Sequence, residues 1–252
     1  MAPSRWQQGL TTLTQLQDSD GGVRVVADVP GRNWATGLAV LAWLGAGPET
    51  QQRYASPVRR ALAWLISARG RRAPDAPDVL GHDTSLEGWA WVDGTHSWVE
   101  PTAYALLALR AAGFAQHKRV REGVQLLLDR TLPDGGWNYG NTRVLGNTLR
   151  PFPLTTGIVL TALAGQRRET RIDASIQYLL DSLTSLRSPM SIGWTLIGLG
   201  AWDARPSDAG EQLARCAAQT SDPLLTTERS LLLLADAALP FPSFKTTSAH
   251  HG

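Results

Sequence analysis

The sequence predicts an all-α protein built from helical hairpins, and three observations carry that expectation. Apolar residues recur at three- and four-residue spacing along most of the 252 residues. Clusters of Gly, Pro and Asp separate the periodic segments, and nothing reads as a run of strands. The helical segments alternate between two kinds, one with a charged stripe and one apolar on every side, as a layered protein requires.

In chain order, the spacing predicts helices near 4–17, 34–45, 56–69, 99–113, 118–131, 154–165, 171–186, 190–203, 209–219 and 225–238. The amphipathic kind is RRALAWLISARG (59–70), REGVQLLLDRTL (121–132) and RIDASIQYLLDSL (171–183). The apolar kind is NWATGLAVLAWLGAG (33–47), EPTAYALLALRAAG (100–113), LTTGIVLTALAG (154–165) and MSIGWTLIGLGAW (190–202). A charged stripe belongs on a surface, whereas a helix without one must be buried. The alternation therefore predicts five or six hairpins, at an irregular period of about 40–65 residues, whose second members pack together.

The buried kind opens on small residues: Thr36-Gly37, Thr102-Ala103 and Thr156-Gly157, with weaker copies at Trp194-Thr195 and Thr227. Small side chains allow close helix approach, and a threonine can bond back to its own first turn. In a ring of hairpins, the connections 18–33, 70–98 and 133–153 would gather at one mouth, whereas those around Ser188-Pro189 and Asp222-Pro223 are short. That mouth would collect positive helix ends and Arg24, Arg32, Arg71, Arg72, Arg143 and Arg150, a setting for an anionic group.

Bulk composition excludes several classes. A net charge of +2 and the lack of basic runs interleaved with aromatics speak against a nucleic-acid partner. Cys216 is the single cysteine, so neither a disulfide framework nor a cysteine-rich zinc site is expected. The N-terminus has no secretory apolar core and no stretch approaches the length of an integral membrane segment, so a cytoplasmic location is expected.

Two connections carry near-identical turns, QDSDGGV (17–23) and LPDGGWNYG (132–140). With the small-residue inner helices, these turns resemble the α/α-toroid superfamily of squalene and terpene cyclases and protein prenyltransferase β subunits. The cyclase repeat ends in Gln, a spacer, then Gly-x-Trp. Gln17 and Gly21 match its first part, with Val23 in the place of Trp; Gly135 and Trp137 match its second, with Thr131 in the place of Gln. The resemblance implies a single (α/α) toroid over residues 1–240, followed by a flexible C-terminal tail, 241–252.

Class II terpene cyclases carry Asp-x-Asp-Asp-Thr-Ala at the start of an inner helix, and the middle Asp donates a proton to an alkene or epoxide. Here Trp98-Val99-Glu100-Pro101-Thr102-Ala103 stands in the same frame. The resemblance thus implies Glu100 as the acid, with Trp98 and Pro101 replacing the flanking carboxylates and His96 and Asp93 left to tune it. Trp89, Trp91, Trp98, Trp137 and Tyr139 would line the substrate cavity and stabilise cationic intermediates, and Arg143 and Arg150 would meet a diphosphate.

Each of these residues has a plainer reading. Ser97-Trp98-Val99-Glu100 is a capping box, with the Glu100 carboxylate on a backbone amide, while Pro101 suits a helix beginning one residue before it. Both caps cannot hold together. The tryptophans equally suit core packing. Cys216 in GEQLARC has no neighbouring Asp-x-Cys pattern, there is no DDxxD-type stretch, and His82-Asp83 with Asp93 and His96 would bind metal only if their loop folded back. No cofactor and no metal are expected.

Three functions follow. The first is a terpene-cyclase-like toroid taking a hydrophobic, isoprenoid-type small molecule into its central cavity. The second is a non-catalytic toroid whose mouth binds a peptide, glycan or protein partner. The third is a carbohydrate-active enzyme of the polysaccharide-lyase kind, stacking sugars on its aromatic loop.

Overall fold

The computed structural model describes residues 4–29, 31, 33–73, 80–220 and 224–238, and among them the apolar periodicity becomes ten α-helices. The helices are α1 (Arg5–Gln15), α2 (Thr36–Gly45), α3 (Pro48–Ser67), α4 (Val99–Ala111), α5 (Lys118–Asp129), α6 (Pro153–Leu163), α7 (Thr170–Ser182), α8 (Pro189–Gly200), α9 (Ala209–Gln219) and α10 (Thr226–Asp236). The class is all-α. Arg32, the Asp222-Pro223 connection and the tail 241–252 lie outside the described residues. Among the described residues no helix is long and apolar enough to cross a membrane.

Two elements depart from the sequence expectation. Helix α3 starts at Pro48, eight residues ahead of the start expected near 56, behind an N-cap at Gly47 (φ +87°), and runs through Pro57. Proline suits the first turn of a helix because its missing N–H has no helical partner there, and Pro48 fills that role. The internal Pro57 is accommodated, and its carbonyl accepts from Gln17 Nε2 at 2.9 Å. The second departure is a two-residue hairpin of β1 (Arg143–Val144) and β2 (Asn147–Thr148). It turns on Leu145 (φ +49°) and Gly146 (φ +80°), the double positive-φ turn that matches strand twist. Strands this short carry no periodicity to read.

The chain's contacts gather into two compact units. The first comprises the chain up to Ala73 together with Ser85–Gln125, and the second the stretch ending at Thr84 together with the chain from Leu126 through α10. In the first, α4 is buried continuously from Val99 to Leu109, as its stripe-free sequence demands. Leu106, Leu107 and Leu109 are fully enclosed, and truncating any one to Ala would cost about 2–5 kcal/mol. In the second, α6 is buried from Thr155 to Leu163 and α8 from Ile192 to Leu199, whereas α7 buries only Ile172, Ser175, Ile176 and Leu179. The two kinds of helix are real.

The small residues have a physical reason within each unit. A Cβ on Gly37 of α2 would stand 2.6 Å from the Tyr104 carbonyl oxygen of α4. One on Gly157 of α6 would stand 2.3 Å from the Trp194 carbonyl of α8, and one on Gly198 of α8 would stand 2.7 Å from the Gly157 carbonyl. These helices touch backbone to backbone, which only glycine permits.

One stitch occurs three times where a connection meets its inner helix. The N–H of Val23 donates to Thr36 Oγ1 at 2.8 Å, that of Trp89 to Thr102 Oγ1 at 3.0 Å, and that of Trp137 to Thr156 Oγ1 at 3.0 Å. The indoles of Trp89 and Trp137 also donate to the outer-helix carbonyls of Leu65 (3.0 Å) and Leu127 (2.6 Å). The middle copy, Glu87-Gly88-Trp89, lies outside the two turns recognised from sequence because Glu87 replaces the first glycine of the pair. Thr195, a further copy by sequence, is buried with its hydroxyl unpaired among the described residues. It sits in the middle of α8, not in its first turn.

Candidate functional site

The connection 85–98 and the head of α4 form a single hydrogen-bonded frame. The Trp98 N–H donates to the Trp89 carbonyl at 2.9 Å. The Gly88 N–H donates to Ser97 Oγ at 2.8 Å, and Thr102 Oγ1 donates to the Trp98 carbonyl at 2.6 Å while receiving the Trp89 N–H. Arg119 of α5, fully buried, clamps this frame from behind. Its guanidinium lies 4.2 Å from the Trp89 ring and donates to the carbonyls of Glu87 (3.0 Å), Ala68 (3.0 Å) and Gly88 (3.2 Å) and to Glu122 (2.7 Å). Burial lowers the pKa of this guanidinium, and the Glu122 hydrogen bond opposes the shift.

This frame corrects the capping expectation. The N-cap of α4 is Trp98, without a side-chain cap bond. The Ser97 hydroxyl is engaged by Gly88 instead, and Pro101 falls in the third helical position. Glu100 is therefore the second residue of α4, and it is buried at 8% exposure.

One turn further along α4 is Tyr104, 7% exposed. Burial, and then the charge of Glu100, push its phenol well above the ordinary range, so it stays protonated. Its ring lies 6.1 Å from that of Trp34, which in turn meets Trp91 edge-on at 4.7 Å. Trp34 closes the first long connection and Trp91 belongs to the second. The two connections also join through the Asp93 N–H, which donates to the Gly31 carbonyl at 2.8 Å.

The other residues expected at the acid are disposed differently. Asp93 is exposed; burial, then Asp20, then Asp18, raise its pKa. His96 is exposed, and its ring lies against Trp98 at 4.4 Å. Trp91 and Trp98 are half-buried, whereas Trp89 is only 3% exposed and committed to the frame. Trp89 and Asp93 meet again at a cavity of about 220 Å³ lined by Trp64, Ala68, Arg69 and Ala90 as well. Of the loop arginines, Arg24 pairs with Asp18 at 3.0 Å and Arg72 with Glu87 at 3.0 Å.

In the second unit, Trp137 is fully buried with its indole N–H engaged. Tyr139 is 55% exposed and its ring is 5.2 Å from Phe152, itself 41% exposed. Arg143 is half-buried on β1 and Arg150 is exposed. The Asn138 amide gathers their connection by donating to the carbonyls of Asn141 (2.9 Å) and Arg150 (3.4 Å). Among the described residues no three His, Cys, Asp or Glu side chains are grouped to hold a metal ion.

Sequence reading missed Trp34 and Tyr104. The signal for Tyr104 was its position four residues after Glu100, on the same helix face; for Trp34 no signal preceded knowing which loops meet.

Comparison with known proteins places a third of the chain near the sterol and hopanoid cyclases. Over 81 residues, 32% of this chain, it is 33% identical to a squalene–hopene cyclase of Bradyrhizobium diazoefficiens. Over 87 residues, 33% of this chain, it is 31% identical to a lanosterol synthase of Candida albicans. Over 81 residues it is 31% identical to a probable squalene–hopene cyclase of Sinorhizobium fredii. The matched stretches cover 11–12% of those relatives' own length. No protein-family model matches the chain. The similarity supports a distant, partial relationship to terpene cyclases.

Proposed function

We propose that this chain is a terpene-cyclase-like toroid that takes a hydrophobic, isoprenoid-type molecule, with Glu100 as its general acid. One observation carries the reading: Glu100 is a buried carboxyl group at the head of a stripe-free helix, one turn from the buried Tyr104 phenol, whose ring lies against Trp34 of the Trp34–Trp91 pair. A carboxyl group held away from water can keep and deliver a proton, and neighbouring ring faces favour the cationic carbon that results. The similarity to squalene–hopene cyclase and lanosterol synthase supports the substrate class. The test is incubation with prenyl diphosphates and squalene, read by mass spectrometry for wild type and Glu100→Gln. Product from wild type alone supports the reading, and equal product from both removes Glu100 as the acid.

A second reading has its own observation. Tyr139 and Phe152 form an exposed aromatic pair on the second unit's long connection, which also exposes Leu145 (79%) at its hairpin turn, as expected of a non-catalytic toroid that binds a peptide or protein partner. Absence of product from every polyprene, together with specific binding abolished by Leu145→Asp, would favour it.

A further inference from the structure

Resting on the acid reading of Glu100, we propose that the Tyr104 phenol is the positioning residue for the Glu100 carboxyl group, supplying a hydrogen-bond donor where the flanking acidic residues of the cyclase motif are absent. Trp98 and Pro101 occupy those flanking positions and bring no carboxyl group there.

The geometry of α4 favours Tyr104. Residues four apart on a helix are neighbours on one face, about 5–6 Å between Cβ atoms. Long helical side chains lean toward the N-terminus, the direction of the turn that carries Glu100. Both side chains are buried, at 7% and 8% exposure. Trp34 flanks the tyrosine ring and Trp91 braces Trp34, which confines the phenol to few orientations. Burial, and then the charge of Glu100, strengthen the hold of Tyr104 on its proton, leaving a permanent O–H donor. Donation to the ionised carboxylate stabilises that form and makes the protonated form a stronger acid.

The alternatives are less well placed. On the connection 85–98, Asp93 and His96 are exposed. On the connection 18–33, Asp18 and Arg24 pair with each other and Asp20 acts on Asp93. Arg110 stands at the far end of α4.

The experiment reads the pair without needing turnover. Trp34 and Trp91 report the ionisation of Glu100 through intrinsic fluorescence followed from acid to neutral pH, with Asp93→Asn and His96→Gln backgrounds to remove their contributions. We expect a step present in wild type and absent in Glu100→Gln. In Tyr104→Phe, which keeps the ring, the step moves upward by roughly half to one pH unit. Incorporation of 3-fluorotyrosine, a stronger donor of the same shape, moves a Tyr104-dependent component downward and keeps the test available should Tyr104→Phe fold poorly. On a turned-over polyprene, Tyr104→Phe lowers kcat about 10- to 100-fold with KM within roughly twofold.

No Glu100-dependent step, or a step indifferent to both Tyr104 changes, overturns the pairing. Loss of product in Glu100→Gln with an unmoved step and full kcat in Tyr104→Phe overturns the pairing alone and leaves the acid reading standing. Equal product from Glu100→Gln and wild type, with the step still moved by Tyr104, removes the acid reading while the pair survives.

Discussion

The two units solve the same packing problem and then diverge. In the first, Gly37 lets α2 reach the backbone of α4 at Tyr104; in the second, Gly157 lets α6 reach the backbone of α8 at Trp194. One turn before each contact, the first unit holds Glu100 and the second holds Met190. The helix entries differ too. Helix α4 is stitched to a long connection through Ser97, Trp98 and Thr102, whereas α8 begins on Pro189 behind a Ser188 cap that accepts from Ser191 at 3.5 Å. The shared part is backbone contact through glycine. The buried carboxyl group stands at the helix entry that a loop frame holds, and an ionisable group buried without partners is costly. Close backbone contact through glycine therefore accounts for the packing of both units, while the chemistry proposed here belongs to one.

The largest expected effect separates the units by function. Glu100→Gln lowers product formation about 10²- to 10³-fold, whereas Met190→Leu, a volume-conserving change, leaves it within about twofold; comparable losses in both would erase the distinction. Next comes the feature they share. Gly37→Ala and Gly157→Ala each destabilise by about 3 kcal/mol, since a Cβ would meet backbone that cannot step aside. Urea unfolding measures this, and a mild effect at either site would mean that its helices can part.

Smaller still is the stitch. Thr102→Val and Thr156→Val each strand a buried tryptophan N–H, at a cost of about 1–3 kcal/mol. Stability falls alike in both, but only Thr102→Val loosens the turn bearing Glu100 and so lowers kcat. The smallest effect concerns Asp93, whose pKa burial and then Asp20 and Asp18 raise. The folded chain then holds this proton more firmly than the unfolded chain, so stability falls as pH rises from the ordinary carboxylate range to the raised value. Asp93→Asn accordingly gives a slightly higher melting temperature at pH 7, and the gain vanishes below the ordinary carboxylate range.

Much of the architecture was legible beforehand. Periodicity placed nine of the ten helices to within about three residues at each start, because the stripe and its absence record which faces meet water. Helix α3 began earlier because Pro48, not Pro57, supplies its first turn. The Gly-Gly turns at Gly21 and Gly135 were visible because their positive φ values, +102° and +89°, favour glycine. The turn at Glu87-Gly88-Trp89 was not, since Trp89 repeats a hydrogen-bond pattern and only part of a residue pattern.

What the chain alone determined was the alternation of buried and surface helices and the small residues where helices touch; Glu100 became a candidate through the resemblance of its stretch to the cyclase motif. The first two are local: each follows from side-chain size, polarity and spacing along one stretch. Tertiary structure decided that Ser97 serves Gly88 rather than capping α4, that Trp34 and Trp91 stand together, and that His96 and Asp93 are exposed while Tyr104 is buried with Glu100. Those outcomes depend on which distant segments meet, and a hydrogen-bond donor with several partners within reach is assigned only by the packing that removes all but one of them.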